Sequence, residues 1–429
     1  MRPAGDSTRS HLFLVFGIVF AGETIFSLPF HVTRYFRPAM LDGLALNNAA
    51  LGDLFAVYGI TAMLAYFPGG WIADRLQART LMSLALAATG LGGLYLLSGP
   101  GYTGLALLYG YWGVTSILLF WSAMIKATRA YAGEHIQGLA FGILDGGRGL
   151  VAAALASLAV LVFGAALGGA AGGASGLEAV VAFYTAATFA AALLAWLVIP
   201  ANAASGTAPA PRRDRGAESW HGPAVWLQAA IVLTAYCGYK GLDFYSLYGV
   251  EVMGMSQVEA AGYTASGAYI RPVAAIAAGL LADRIRASRV AALAFVLCLA
   301  AYAALASGAV VASSYLVGTL AVTFAGVFAL RGVYFALLAE SGISTARTGT
   351  AVGMISVVGY TPDVFFAPLA GRLIDATPGV AGYQQLFALL AMISACGATA
   401  ALLLWRRISG RRSPAIAYPA PTRGDPPSV

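Results

Sequence analysis

Eight ionisable residues lie well inside apolar runs of the sequence, away from the ends of those runs. The cations are Arg148, Lys240, Arg271 and Arg331, and the acids are Glu23, Asp145, Asp243 and Asp363. A charged side chain at the centre of a membrane helix costs on the order of 2.5–3.5 kcal/mol, so it needs a partner or a water-filled cavity. We therefore expect these residues to bind a ligand, to carry protons or to pair with one another.

Arg148, Arg271 and Glu23 fall near the middle of their runs when a helical rise of about 1.5 Å per residue is assumed. The planar fork of arginine binds a carboxylate or a phosphate through two hydrogen bonds. Arg271 has no acid at helical spacing, so a ligand or Glu23 must neutralise it. The pattern predicts an anionic small-molecule substrate. The predicted substrate-binding residues are Arg148, Arg271, Lys240, Tyr239 and Glu23.

Pairing among the charges themselves is the alternative to ligand binding. Asp145 and Arg148 are three residues apart, as are Lys240 and Asp243, so each pair could neutralise itself on one helix face. Glu23 could likewise form a structural salt bridge to Arg148. The sequence leaves both interpretations open.

Two of the acids, Glu23 and Asp363, are candidates for proton coupling, because removing a carboxylate from water favours its protonated form. Pro362 stands beside Asp363 and follows Gly359. A proline at this position interrupts helical hydrogen bonding and predicts a hinge.

The elements that must position these residues are membrane helices. Hydrophobic residues make up 59% of the 429-residue chain and charged residues only 10%, against about 25% charged in soluble domains. Twelve continuous apolar runs are long enough to cross a hydrocarbon core of about 30 Å, and their lack of alternation argues against strands. The runs lie near residues 11–36, 47–73, 80–98, 102–128, 136–167, 177–199, 223–252, 257–282, 289–308, 312–339, 347–373 and 383–405.

A polar stretch divides the runs into two sets of six. We predict an N-terminal six-helix bundle over residues 1–200, a linker over 201–222, a C-terminal bundle over 223–408 and a disordered tail over 409–429. The predicted fold is therefore an all-α membrane protein of twelve transmembrane helices in two pseudo-symmetric bundles. The linker and the tail are expected to be cytoplasmic.

The distribution of Lys and Arg predicts the orientation in the membrane. If the N-terminus is cytoplasmic, most basic residues fall on the cytoplasmic side, and the opposite side holds only Arg34, Arg37 and Arg372. Both termini are therefore predicted to lie in the cytoplasm. The protein is predicted to lie in the cell membrane, which in a bacterium is the inner membrane. The same bias explains the net charge of +7 without a nucleic-acid partner.

The two sets of runs repeat each other at a spacing of about 210 residues. Residues 70–75 (GWIADR) correspond to residues 279–284 (GLLADR), and residues 138–142 correspond to residues 349–353. Two matches at nearly one offset indicate a duplicated six-helix unit, which is how several transporter folds are built.

The loop that closes the second run, and its repeat, resemble the motif G-x-x-x-D-R-x-G-R-R of the major facilitator superfamily. The matching residues are Gly70, Asp74, Arg75 and Arg79, with Gly279, Asp283 and Arg284 in the repeat. The departures are Gln77 and Arg286 for the second glycine, Ala78 and Ala287 for the first residue of the basic pair, and Ser288 for the second. Segments 331–334 and 359–363 faintly resemble branches of the superfamily that handle organic anions and sugar acids.

The resemblance implies a secondary transporter that moves a small solute by alternating access, with no catalytic residue, cofactor or metal. It also implies a conformational latch, made of Gly70, Asp74, Arg75, Gly279, Asp283 and Arg284, in which the glycines allow close helix approach and the aspartates accept hydrogen bonds. The expected partners are the bilayer, an anionic substrate and a co-transported proton or cation, and the expected state is a monomer.

Three other functions remain open on the sequence. A lipid, lysolipid or drug-like exporter of the same fold would have the same helices. A polytopic enzyme would need a catalytic or metal-binding cluster, and the three cysteines and four histidines show no such spacing. A non-transporting sensor would need an output domain, for which the tail after residue 409 is too short.

Overall fold

The computed structural model describes residues 4–132, 137–168, 173–201, 222–308, 313–334, 336–340 and 355–410. The predicted linker and tail fall almost wholly outside these ranges, as do the repeat segment 349–353 and part of the eleventh predicted run. The domain boundaries therefore stay predictions.

Helices account for nearly all of the described residues, and no strand occurs among them. In chain order they are α1 Ala4–Thr24, α2 Val32–Tyr35, α3 Arg37–Gly43, α4 Asn48–Arg75, α5 Ala78–Leu97, α6 Tyr102–Val114, α7 Ser122–Ala132, α8 Gln137–Gly168, α9 Gly173–Val198, α10 Pro223–Gly241, α11 Tyr245–Glu251, α12 Gln257–Gly267, α13 Ile270–Ile285, α14 Ala287–Ala306, α15 Ser313–Val333, α16 Leu337–Glu340, α17 Pro362–Ala376 and α18 Val380–Gly410. The all-α membrane class predicted from composition is confirmed.

Within the described ranges, nine helical segments are long and apolar enough to cross a membrane. A tenth is the pair Phe13–Thr24 and Ser27–Tyr35, which is bent by 42° and counts as one broken span. Of the two remaining predicted runs, 223–252 is helical but interrupted at Leu242–Phe244, and 347–373 is described only from residue 355. The structure is thus consistent with twelve spans.

Two spans contain π-helical segments at the level of the central cavity. Ser27–His31 joins α1 to α2, and Thr115–Trp121 joins α6 to α7. Pro29 lies in the first segment and has no backbone N–H to donate. A π-helical turn changes the direction of the side chains around it and is frequent at functional sites. Both segments contribute side chains to the cavity described below.

The two halves of the molecule are pressed together on one side, which we call the distal face and define by the loops 44–47, 252–256 and 377–379. Here α4 packs on α17 with glycine at the contacts. A Cβ on Gly52 would lie 2.5 Å from the Ala367 carbonyl oxygen, and one on Gly371 would lie 2.3 Å from the Asn48 carbonyl oxygen. The absence of side chains at these positions lets the two helix backbones touch.

Polar contacts reinforce this closure. The Asp375 carboxylate accepts hydrogen bonds from the backbone N–H groups of Asn48 and Ala49, so a residue of one half caps a helix of the other. Arg372 donates to both carboxylate oxygens of Asp53 at 2.8 and 3.0 Å. The cavity is therefore closed on the distal face.

We expect Gly371→Ala to open the distal face. The added methyl would overlap the backbone of Asn48, which cannot move away as a flexible side chain can, and such overpacking costs about 1–3 kcal/mol. Spin labels on Glu178→Cys and Val380→Cys, in a protein without its native cysteines, should report a longer distance.

The matched control is Gly318→Ala, because a Cβ on Gly318 would meet no atom within 4 Å. Its label distances should equal those of the parent protein. Unchanged distances in Gly371→Ala would show that the α4–α17 contact does not hold the distal face closed.

The internal repeat is also visible as a pair of equivalent contacts. The Arg79 guanidinium lies 4.3 Å from the ring centroid of Trp196, and the Arg289 guanidinium lies 4.8 Å from that of Trp405. The two arginines are 210 residues apart and the two tryptophans 209 residues apart. These contacts agree with a duplicated six-helix unit.

Candidate functional site

A cavity lies between the two halves, lined by sixteen residues from both of them, with about 720 Å³ of empty space including the part open to solvent. Eight of the lining residues are Phe, Tyr or Trp. Five are charged, namely Glu23, Arg148, Lys240, Arg331 and Asp363. A concave site of this kind, with aromatic walls and few polar groups, is typical of small-molecule binding.

Glu23 is the centre of the first group of charges. Its carboxylate lies 3.0 Å from Arg148 Nε, 3.2 Å from His31 Nε2 and 3.8 Å from Arg271 Nη1. The side chain is only 4% exposed. Three basic groups thus surround one buried carboxylate; the salt-bridge interpretation of the sequence includes the two arginines but not His31.

Arg271 joins the two halves through a second carboxylate. Its Nη2 atom donates a hydrogen bond of 2.8 Å to Asp145 Oδ1. A Cβ on Gly149 would lie 3.0 Å from Arg271 Cδ, so this glycine leaves room for the arginine side chain. Asp145 therefore pairs with Arg271 across the halves, and Arg148, three residues along its own helix, pairs with Glu23 instead.

Lys240 is the centre of the second group. Its Nζ atom lies 3.3 Å from Asp243 Oδ2, which is the predicted pair at helical spacing, and 3.3 Å from Asp363 Oδ1. The Tyr236 hydroxyl donates to the Asp363 carboxylate at 3.0 Å. Asp243 is shared in turn, because Arg34 Nε donates to its Oδ1 atom at 2.5 Å.

Among the described residues, Arg331 has no carboxylate partner, unlike Arg148 and Lys240, the other cations that line the cavity. Among the described residues, no carboxylate lies within 4.0 Å of its guanidinium, and its Nε and Nη1 atoms are buried without a hydrogen-bond partner. In the described part of the chain, its guanidinium carbon lies 4.1 Å from the ring centroid of Tyr239 and 6.0 Å from that of Tyr236. Arg331 is half-buried, and its two buried nitrogens are costly without acceptors unless a ligand or water supplies them.

Tyr239 connects this cation to the distal closure. Its hydroxyl accepts a hydrogen bond of 2.7 Å from Arg34 Nη1, and the Arg34 guanidinium carbon lies 4.2 Å from the ring centroid. Arg34 belongs to the first half and Tyr239 to the second. One aromatic ring thus contacts both the unpaired arginine of the cavity and an arginine that holds the halves together.

Sequence reasoning missed two members of the site. His31 shows no metal-ligand spacing and Arg34 looks like a loop residue, yet both are buried and paired with acids. Arg331 is recognisable in the sequence as a membrane charge but does not belong to the predicted binding set. Arg331, like Arg271, has no acid at helical spacing, and this feature of the sequence could have identified it as a binding candidate.

The predicted latch residues lie at the ends of α4 and α13. A Cβ on Gly70 or Gly279 would meet no atom within 4 Å, so the expected close approach is not present in this structure. Arg75 stacks on Trp71 of its own helix at 3.7 Å, and Asp283 and Arg284 are exposed. The side chain of Asp74 lies outside the described residues.

No group of three His, Cys, Asp or Glu side chains that could hold a metal ion occurs within the described part of the chain. The sixteen lining residues include no cysteine and a single histidine, His31. The chemistry of the cavity is therefore that of ion pairs, hydroxyls and aromatic rings.

The comparison with protein families decides the identity of the fold. The family model described as Major Facilitator Superfamily matches residues 12–367. The chain belongs to the major facilitator superfamily. Inner membrane protein YihN of Escherichia coli (strain K12) is 27% identical over 417 residues, which cover 94% of this chain and 97% of that protein. Inner membrane protein YqcE of the same organism is 27% identical over 389 residues, covering 86% and 89%.

Solved structures of this superfamily share the fold. A bacterial homolog of the human lysosomal transporter Spinster, in an inward-facing and unoccupied conformation, has a TM-score of 0.75 at 15% identity and covers 97% of this chain and 100% of that chain. The nucleoside transporter NupG has a TM-score of 0.69 at 13% identity, with 92% and 100% covered. This superfamily member is thus a multi-pass membrane protein and a secondary transporter rather than an enzyme.

Proposed function

We propose that this transporter carries a small organic anion by alternating access around the central cavity, with Arg331 as the anion-binding group. The observation that supports the proposal is the balance of charge on the cavity wall. Three cations and two carboxylates line it. Arg148 pairs with Glu23, and Lys240 pairs with Asp363, which leaves the charge of Arg331 for a ligand.

The other predicted binding residues keep a place in this proposal. Tyr239 lies against Arg331 and positions it. Arg148, Arg271 and Lys240 each have a carboxylate within 4.0 Å in this conformation, so they can reach a ligand only by giving up a partner. Direct ligand binding by these three stays a prediction, and we assign them to the support of the cavity first.

Alternating access would use the distal closure as one gate. With both termini in the cytoplasm, as the basic residues predict, the distal face is the outside of the cell. The substrate would then exchange between the cavity and the cytoplasm in this conformation, and it would reach the outside once the α4–α17 contact opened.

The test is transport by the purified protein in proteoliposomes. Counterflow of a small radiolabelled carboxylate should exceed counterflow of its neutral amide, and unlabelled carboxylate on the opposite side should accelerate it. Equal rates for the acid and the amide would contradict an anion transporter.

We propose further that Asp363, rather than Glu23, takes up a coupled proton. Among the described residues, Asp363 has one cation within 4.0 Å, Lys240, which it shares with Asp243, and its side chain is 15% exposed in the cavity wall. Glu23 has three basic neighbours and is 4% exposed. Protonation of Asp363 therefore disrupts fewer ion pairs and has a shorter path to water.

Asp363→Asn is accordingly expected to abolish accumulation driven by a proton gradient and to leave exchange without a gradient active. Both are measured in the same proteoliposomes, with Glu178→Gln as the control because Glu178 is an exposed carboxylate. Full gradient-driven accumulation by Asp363→Asn would exclude this residue as the proton carrier.

A further inference from the structure

The wall of the central cavity is built mainly from aromatic rings. Half of the lining residues are aromatic, and they pack against one another around the space. Phe30 and Tyr58 meet edge to face with centroids 4.8 Å apart, and Tyr236 and Tyr360 do so at 4.9 Å. Rings held in this way offer fixed faces and edges to a planar group, which they contact without a large loss of side-chain freedom.

Four of the five tyrosine hydroxyls on this wall are already engaged within the protein, and among the described residues only that of Tyr66 has no hydrogen-bond partner. Each of the following has a hydrogen-bond partner at 3.3 Å or less: Tyr58, Tyr236, Tyr239 and Tyr360. No Asn, Gln, Ser or Thr occurs among the described lining residues. A polyhydroxylated ligand would lose its hydrogen bonds to water here and find few new ones, which disfavours its binding.

The charge available to a ligand is a single positive charge. Arg331 provides it, because the remaining cations of the wall have carboxylate partners. With Asp363 ionised, a monoanion would neutralise the cavity, whereas a dianion would leave one negative charge beside Glu23 and Asp363. Like charges at short distance in a partly dry site repel each other strongly.

From these three observations we infer that the substrate is a monoanion with a planar, weakly hydroxylated body, of the chemical class of aromatic carboxylates or sulfonates. The acid group binds the free nitrogens of Arg331 and the ring lies between the aromatic side chains of the wall. Sugar acids and dicarboxylates are disfavoured. This inference rests on the proposed function and narrows the substrate class of the same cavity.

The test is binding to the purified full-length protein, measured by isothermal titration and by the shift in melting temperature. The probes are benzoate, its neutral amide benzamide, the dianion phthalate and the polyhydroxy acid gluconate. We expect benzoate to bind at least about tenfold more tightly than each of the other three. Arg331→Gln should reduce benzoate to the level of benzamide, and the exposed control Arg406→Gln should leave all four unchanged.

Each other outcome contradicts a defined part of the account. If gluconate or phthalate binds as tightly as benzoate and Arg331→Gln removes that binding, the substrate class is wrong but the anion transporter stands. If benzoate and benzamide bind equally, or if Arg331→Gln changes nothing, the anion site itself is wrong. Binding by none of the four overturns the aromatic class, and the counterflow assay then decides the proposed function separately.

Discussion

Replacing Arg331 with glutamine is expected to lower the affinity for an anionic substrate by roughly 10- to 100-fold. The guanidinium carries the one cavity charge without a carboxylate partner among the described residues, and two of its nitrogens lack acceptors. A hydrogen bond to a charged group contributes about 1.5–3 kcal/mol, and glutamine removes the charge from it. The measurement is a ligand titration on the purified variant.

The stability of the ligand-free protein separates binding from structure at this position. Arg331→Gln strands no carboxylate, so its melting temperature should equal or exceed that of the parent. Arg331→Lys should bind the anion with intermediate affinity, because it keeps the charge and loses the planar fork. A large fall in melting temperature with unchanged affinity would make Arg331 a structural residue.

Replacing Arg148 with glutamine is expected to act on stability instead, with a loss of about 3–5 kcal/mol in the free energy of unfolding. The change removes the nearest partner of Glu23, whose side chain is 4% exposed and cannot turn to water. Glu23 would keep only His31 at 3.2 Å and Arg271 at 3.8 Å, and Arg271 is shared with Asp145, so a buried carboxylate would be left incompletely compensated, which is the costly result of breaking such a pair. Thermal unfolding of the purified variant measures the effect.

A second substitution checks the cause. Glu23→Gln added to Arg148→Gln removes the stranded charge and should restore most of the lost stability, whereas Arg406→Gln alone should have no effect. If the double variant is no more stable than Arg148→Gln, the ion pair with Glu23 is not what the arginine stabilises.

The membrane helices were predictable because lipid imposes a simple physical requirement. Every crossing needs a long apolar run whose backbone satisfies its own hydrogen bonds, and such runs are visible in the sequence one at a time. The duplication was visible for a similar reason, since residues 70–75 and 279–284 repeat as local strings. The break at Thr115–Trp121 was not predicted because its composition does not differ from ordinary helix, whereas Pro29 in Ser27–His31 is a signal that the sequence analysis did not use.

The pairing of the buried charges was predictable only where it is local. Lys240 and Asp243 are three residues apart and do pair. Asp145 and Arg148 have the same spacing, yet each finds its partner on another helix. Which acid meets which base depends on how the spans pack, and the spacing along one helix does not contain that information.

The anion-binding arginine proposed from the structure, Arg331, differs from those predicted from the sequence, Arg148 and Arg271, because it too depends on how the spans pack. Arg148 and Arg271 look central in the sequence, and Arg271 has no acid at helical spacing, but packing gives both a carboxylate on another helix. Arg331 lies nearer one end of its predicted run, and packing leaves it without one among the described residues. A charged residue is a candidate for ligand binding when folding leaves its side chain without a partner of opposite charge.

The most direct test compares two variants in one counterflow assay with a labelled organic anion. One is Arg331→Gln, and the other is the neutralised pair Arg148→Gln with Glu23→Gln. The account predicts that the first loses transport and the second, being stable, retains most of it. The account would be contradicted if Arg331→Gln transports the anion and the stably folded double variant does not. That result would indicate that Arg148 binds the anion.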